Sequence, residues 1–329
     1  MRALLRGLLL GCLLLAADPV FSQDVWDRVE HRYADSNGVK IHYAVLGEGP
    51  LVVMIHGFPD FWYTWRHQMR ALADHKYRVA AVDLRGYDLS DKPKGVENYA
   101  VPLVVGDIAA VVKAEKQTDA IIVGHDWGGA VAWAAAMRGD RRLERLAIVN
   151  SPHPVIFQKS LIEDEGQRAA SQYINAFKTP GFEKAVEAMG FETFFEKSFS
   201  KHVDLSLIPE AEKRQYIADW SQPGALTAML NWYRASRMIV PPPGITVPLP
   251  DLLLRAFPRV KVPTLVVWGM LDRALLPLQL DGLDALVDDL TIVRLPDIGH
   301  FAPWEAGEQV GGALRDFLTK ESAATAPAA

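Results

Sequence analysis

Asp126 stands alone between an apolar, β-branched run and a pair of glycines, in Ile121-Ile122-Val123-Gly124-His125-Asp126-Trp127-Gly128-Gly129. The pattern predicts a strand, a very tight turn and a helix packed closely on the strand's own sheet, with Ala130 to Met137 continuing the helix in small residues. Gly124 and Gly128-Gly129 suit such a turn because side chains there would collide as the chain reverses. The central residue is thrust up at the carboxyl end of the strand. A hydroxyl attacking an sp3 carbon from that place would leave an ether, which an enzyme cannot readily hydrolyse. A carboxylate leaves an ester, which an activated water can cleave. Asp126 therefore points to alkyl transfer followed by hydrolysis: opening an epoxide or displacing a halide. The plain alternative is that Asp126 only caps the helix after it, a position Asp favours.

An aspartyl ester needs a general base to activate water, and histidine is the natural choice near neutral pH. Of the nine histidines, His300 is best placed, in Asp297-Ile298-Gly299-His300-Phe301 just after the last predicted strand. Such a base needs a carboxylate to fix its tautomer and stabilise its charged form. Asp272 follows Trp268-Gly269-Met270-Leu271 at the end of the preceding strand and is preferred. Asp297 shares a loop with His300 and is better suited to shaping a turn. His56-Gly57-Phe58-Pro59 ends another buried strand, where the Phe58 amide can lie beside that of Trp127 as an oxyanion hole. Pro59 brings no amide hydrogen and can fix that loop through a cis bond. His56 itself reads as a loop-stabilising hydrogen-bond partner rather than a base.

Strands and helices must alternate to position these residues. Lys40 to Leu46 alternates polar and apolar residues, as in a half-buried antiparallel strand. Leu51 to Ile55 and Val79 to Val82 are continuously apolar, as in strands covered on both faces. Val101 to Lys116 predicts a helix, Ile121 to Gly124 and Leu146 to Val149 two more strands, and Thr264 to Gly269 and Leu290 to Leu295 the last two. The alternation implies an α/β fold with a mostly parallel sheet. From Ser151 to about Phe257 helical spacing replaces it, with Ala169, Ala170, Tyr173, Ile174 and Phe177 on one face and prolines at 241–243, 248 and 250. We expect a helical lid over 151–257, inserted into a core made of 23–150 and 258–320. Val310, Leu314, Phe317 and Leu318 mark the closing helix, and 321–329 is expected to be a disordered tail.

The chain of 329 residues is half hydrophobic and 23% charged, with a formal charge of −5. Both signs are scattered, so no basic stripe recommends nucleic acid, and small uncharged partners are expected. Met1 to Ser22 has the three-part anatomy of a cleaved signal peptide, with Arg2 and Arg6 ahead of an apolar run too short to span a bilayer comfortably. It predicts a periplasmic or secreted protein. Cys12, the single cysteine, stands in Leu9-Leu10-Gly11-Cys12, which weakly resembles a lipoprotein box, but the apolar run continues past it and favours ordinary cleavage.

The stretch around Asp126 resembles the nucleophile elbow of α/β-hydrolases, most of which carry serine there. Over nearly all the sequence after the leader, the chain resembles the epoxide hydrolases of that fold. The likeness rests on His56-Gly57-Phe58-Pro59 with Trp62 and Trp65, on Asp83-Leu84-Arg85-Gly86-Tyr87, and on Gly124-His125-Asp126-Trp127-Gly128-Gly129. His300 and Asp272 then fall where that fold carries its base and acid. The resemblance implies that two lid tyrosines bind and protonate the epoxide oxygen. The matching positions are Tyr173 and Tyr233, the latter in Leu230-Asn231-Trp232-Tyr233-Arg234. Pocket walls are expected from His56, Pro59, Trp62 and His153. The implied partners are an epoxide and water, with no metal or organic cofactor. Asp88 departs from the family, which usually has glycine after Gly86-Tyr87. The rival readings are a haloalkane or haloacid dehalogenase sharing the aspartate, and a non-catalytic binding protein on the same scaffold. A haloalkane enzyme needs a second halide donor that commonly sits where Phe58 stands, and phenylalanine has none.

Overall fold

The computed structural model describes residues 25–140 and 142–319; the expected leader over 1–22 and tail over 321–329 lie outside the described residues. The continuously apolar runs of the sequence become the inner strands of an eight-stranded sheet. In chain order the strands are β1 (Glu30–Ser36), β2 (Val39–Leu46), β3 (Leu51–Ile55), β4 (Arg78–Val82), β5 (Ala120–His125), β6 (Leu143–Val149), β7 (Thr264–Gly269) and β8 (Leu290–Leu295). Their spatial order is β1-β2-β4-β3-β5-β6-β7-β8. β2 runs antiparallel to both β1 and β4, and the pairs from β4 onward are parallel. Every residue of β3 and β5 is buried, which explains their lack of alternation.

Sequence periodicity does not reveal β1, because only Ala34 and Ser36 of it are buried. Its pairing partner settles the matter. Asn37 and Gly38 both have positive φ, 53° and 85°, so they form the two-residue turn that lets β1 fold back on β2.

Between β6 and β7 the chain is helical, with helices at Pro154–Glu163, Glu165–Ala170, Gln172–Lys178, Phe182–Met189, Phe191–Phe199, Glu210–Trp220 and Ala225–Ala235. An aromatic cluster of Phe194, Phe195, Phe199, Tyr216 and Trp220 forms part of its interior. Hydrogen bonds to core backbone fix the insertion over the sheet. Trp220 Nε1 donates to the Pro59 carbonyl at 2.9 Å and Trp232 Nε1 to the Arg85 carbonyl at 3.0 Å. Gln167 donates to the Ala274 carbonyl at 2.8 Å and accepts from the Leu276 amide at 2.8 Å. Among the described residues no helix is long and apolar enough to cross a membrane.

Insertion and core also meet through carboxyl groups. Asp219, on helix Glu210–Trp220, touches Asp88, which touches Asp83 in turn, and all three are buried. Asp88 has φ 35°, the left-handed region that Asp and Asn enter more readily than most residues, so the departure from glycine is accommodated. Burial first, then repulsion between the carboxyls, pushes Asp88 and Asp219 well above the usual carboxylate range. The folded state therefore holds protons that the unfolded chain releases, and stability contributed by this cluster is lost as pH rises. An amide at position 88 supplies a donor without a proton to lose. Asp88→Asn should raise the melting temperature at pH 8, by about 2–4 °C for each kcal/mol relieved, and the gain should shrink toward pH 5. Equal melting curves for the two proteins at pH 8 would contradict this account.

Candidate active site

The turn after β5 puts Asp126 at φ 48° and ψ −117°, a strained backbone for a residue with a Cβ. Neighbours impose it. A Cβ on Gly128 would collide with the Ile55 carbonyl, and one on Gly57 with the Asp126 side chain, so β3 and β5 can close on the turn only with glycine at both places. Ser151 Oγ donates to the Asp126 carbonyl at 2.7 Å and braces the turn from the end of β6.

Asp126 occupies the N-cap position of helix Trp127–Met137, yet its side chain makes no capping hydrogen bond. Its Oδ1 instead accepts from the Phe58 amide at 2.9 Å, and the Trp127 amide also donates to the carboxylate. The paired amides expected from sequence are thus both aimed at this group. Oδ2 faces His300 Nε2 at 3.8 Å, too far for a direct hydrogen bond. Burial raises the Asp126 pKa above the ordinary value, while the charge of His300 and the two amides hold that rise in check.

His300 Nδ1 donates to Asp272 Oδ2 at 2.7 Å. Asp272 is fully engaged. Asn150 Nδ2 donates to the same oxygen at 2.8 Å, and the amides of Ala274 and Leu275 donate to Oδ1 at 2.8 Å each. Burial would raise Asp272, but the His300 charge and these bonds outweigh it and lower its pKa. Burial would likewise lower His300. The charge and hydrogen bond of Asp272, then Asp126 and Glu305, overcome it and push His300 up to about 9. Below that pH the imidazole is an imidazolium between two carboxylates. No hydrogen bond joins Asp297 to His300, which Asp272 holds instead.

Two rings of the insertion come down over this group. Tyr233, from helix Ala225–Ala235, packs 5.2 Å from Trp127, 5.3 Å from Phe58 and 6.0 Å from Tyr173, measured between ring centroids. The Trp127 and Tyr233 rings meet edge-on. Burial, then the Asp126 charge among others, raises both phenols above their usual range, so both stay protonated through neutral pH.

Two of the expected pocket residues, His56 and Trp62, serve elsewhere, and a third, His153, makes one bond of its own. His56 is wholly buried: its Nδ1 donates to the Gly57 carbonyl at 2.7 Å and its Nε2 accepts from the Leu84 amide at 3.0 Å, leaving neither nitrogen for a substrate. Trp62 lies in the helical turn Trp62–Trp65, which directs its indole toward Trp26 and His31 on the antiparallel side of the sheet. His153 caps helix Pro154–Glu163 by accepting from the Val155 amide, with its ring edge-on to Trp133. Pro59 does follow a cis bond, and its carbonyl receives Trp220.

Other residues at the site carry no sequence signal of their role. Asn150, with φ 42°, bridges Asp272 and the Gly269 amide. His125 donates from Nε2 to the His300 carbonyl at 2.9 Å, and burial with the His300 charge pushes it down to about 3, so it stays neutral. Each partner lies a hundred or more positions away in sequence, so only the fold pairs them.

Since Asp126 is one of the charges that raise His300, Asp126→Asn should lower the His300 titration midpoint. The expected fall is about one to three units, the range for an opposite charge at such a distance. Histidine NMR titration of parent and variant reads it directly, and an unmoved midpoint would refute the pairing.

The family description "alpha/beta hydrolase fold" matches residues 50–307. AB hydrolase superfamily protein YfhM of Bacillus subtilis is 38% identical over 252 residues, 76% of this chain and 84% of that protein. Epoxide hydrolase 1 of Caenorhabditis elegans is 31% identical over 312 residues, 90% of this chain and 71% of its own. A solved structure described among novel epoxide hydrolases from metagenomes of hot environments is 40% identical, with a TM-score of 0.79 over 89% of this chain and 99% of that one.

Proposed function

The chain belongs to the α/β-hydrolase fold family, and we propose that it hydrolyses an epoxide to a vicinal diol through a covalent ester on Asp126. The observation that carries the reading is a carboxylate in the elbow with two protonated phenols above it. The epoxide hydrolases among its relatives support the same substrate class.

In the first step Asp126 Oδ2 attacks a ring carbon, and the carbon–oxygen bond of the ring breaks. Tyr173 and Tyr233 donate to the departing oxygen, which takes a proton, and the phenol that supplies it recovers one from solvent. The helical insertion acts as the lid that brings these donors down.

Esterification removes the Asp126 charge, one of those that hold His300 as an imidazolium. His300 then gives up its proton more readily and becomes the base the second step needs. Its Nε2 takes a proton from water, the water oxygen bonds to the ester carbon, and the electron pair moves onto Oδ1. The amides of Phe58 and Trp127 already bond that carboxylate and stabilise the oxyanion. Collapse expels the diol oxygen, which receives the proton from His300. The acid proton of Asp126 leaves to solvent and balances the one taken up at ring opening. Asp272 keeps the imidazole oriented throughout.

The dehalogenase reading lacks its second donor here: beside Trp127 stands Phe58, whose side chain has none. His300→Gln should therefore trap one substrate mass on the peptide containing Asp126 when mixed with an epoxide, detected by mass spectrometry. Tyr233→Phe should slow formation of that ester by about a hundredfold, since losing one such donor typically costs about 3 kcal/mol. Halide release from haloalkanes and haloacetates is measured in parallel. Normal turnover by His300→Gln, or halide release outpacing diol formation in the parent, would sink the proposal. The anatomy of residues 1–22 further supports export, which intact-mass measurement on protein from the native host would show as cleavage near Ser22.

A further inference from the structure

We propose that Glu305 is a positioning residue for the ester-hydrolysis step: its carboxylate grips the peptide amides on both sides of His300 and lends the imidazole a negative neighbour that remains when Asp126 is esterified. The inference rests on the reading of His300 as the base.

The grip is visible in the hydrogen bonds. Glu305 ends the short helix Ala302–Glu305, and its own amide donates to the Phe301 carbonyl at 2.9 Å. Oε1 accepts from the Phe301 amide at 2.7 Å and Oε2 from the Gly299 amide at 3.2 Å. The two amides belong to the residues on either side of His300, so one side chain holds the backbone just before and just after it. A Cβ on Gly299 would lie 3.1 Å from one of those oxygens and 2.9 Å from the His202 carbonyl, which shows how tightly the carboxylate and the insertion close on the loop. No other role in the reaction claims this carboxylate: it reaches amides, not the space above Asp126.

The charge is a separate contribution. The groups facing His300 are Asp272 from the loop after β7, Asp126 and His125 from the end of β5, His202 from the insertion, and Glu305 itself. The two histidines are neutral, held down by burial to about 3 and about 4. Three carboxylates thus favour the imidazolium in the resting enzyme. Once Asp126 is an ester, two are left. Water must then pass a proton to His300 Nε2, and every remaining negative neighbour stabilises the charge that forms.

Glu305→Gln preserves shape and one acceptor while deleting the charge; Glu305→Asp keeps the charge on a shorter arm. Two measurements separate the claim from simple support of the loop. Single-turnover kinetics with an epoxide resolve ester formation from ester hydrolysis across pH. Histidine NMR of the substrate-free protein follows the His300 midpoint without any reaction. For Glu305→Gln we expect ester formation within about twofold of the parent and hydrolysis slowed about tenfold. The acid limb of hydrolysis should move to lower pH, together with a lower His300 midpoint. Glu305→Asp should restore most of the midpoint. An unmoved midpoint in Glu305→Gln would overturn the proposal, and so would an equal loss in both half-reactions. If His300→Gln turned over normally, the epoxide mechanism would fail while the Glu305-dependent midpoint still stood, so the two failures are distinguishable. Should Glu305→Gln not fold, the midpoint in Glu305→Asp decides, because a charge contribution must still hold it near the parent value.

Discussion

Everything at the site depends on one reversal of the backbone. At Asp126 the chain leaves β5 with a positive φ and enters a helix within a residue, so the side chain can only project upward from the sheet. The close approach of β3 makes this possible, and the same approach delivers the Phe58 amide to Oδ1. The placing of the Asp126 carboxylate and that of the Phe58 amide are therefore not two inventions. They are two consequences of glycine at positions 57 and 128, which let the loop after β3 touch the turn after β5. The strain is tolerable because Ser151 and the helix hold the reversal from the other side.

The second dependence is electrostatic. Three ionisable groups sit almost without water between sheet and insertion, and each is tolerable only because the others are there. Asp272 is fixed by four donors, which makes it a permanent charge. That charge draws His300 into its protonated form despite burial, and the imidazolium in turn restrains the rise of Asp126. Removing charge from any one member changes the other two, so a change of charge on Asp126 reaches the basicity of a histidine 3.8 Å away.

Much of this was legible in the residues. The strands that carry Asp126, His56 and Asp272 are continuous apolar runs ending in polar residues, and such runs declare both a buried sheet and the end at which chemistry can sit. The helical stretch after Ser151 announced itself by its change of period. β1 did not, since an edge strand with two buried residues has no pattern to read, although Asn37-Gly38 marks its hairpin. The pocket assignments of His56 and Trp62 failed for a shared reason: adjacency to a motif in sequence says nothing about which way a side chain turns. Asn150, His125 and Glu305 were invisible because their roles consist of bonds to distant or backbone atoms, which residue identity does not encode.

The molecule holds a second group of buried carboxyls, and the contrast sets the chemistry of the two apart. Asp83, Asp88 and Asp219 lean on each other, with Lys92 bonded to nearby backbone carbonyls. Their easiest neutralisation is a shared proton, and a protonated carboxyl is a poor nucleophile. Asp126 is surrounded differently: two amides offer it hydrogen bonds, the imidazolium offers charge, and no second carboxyl touches it. Burial is common to both clusters and raises the carboxyl in each. What differs is the company. Donors that cannot accept keep Asp126 ionised in a dry place, and an ionised, poorly hydrated carboxylate is what attack on a carbon requires.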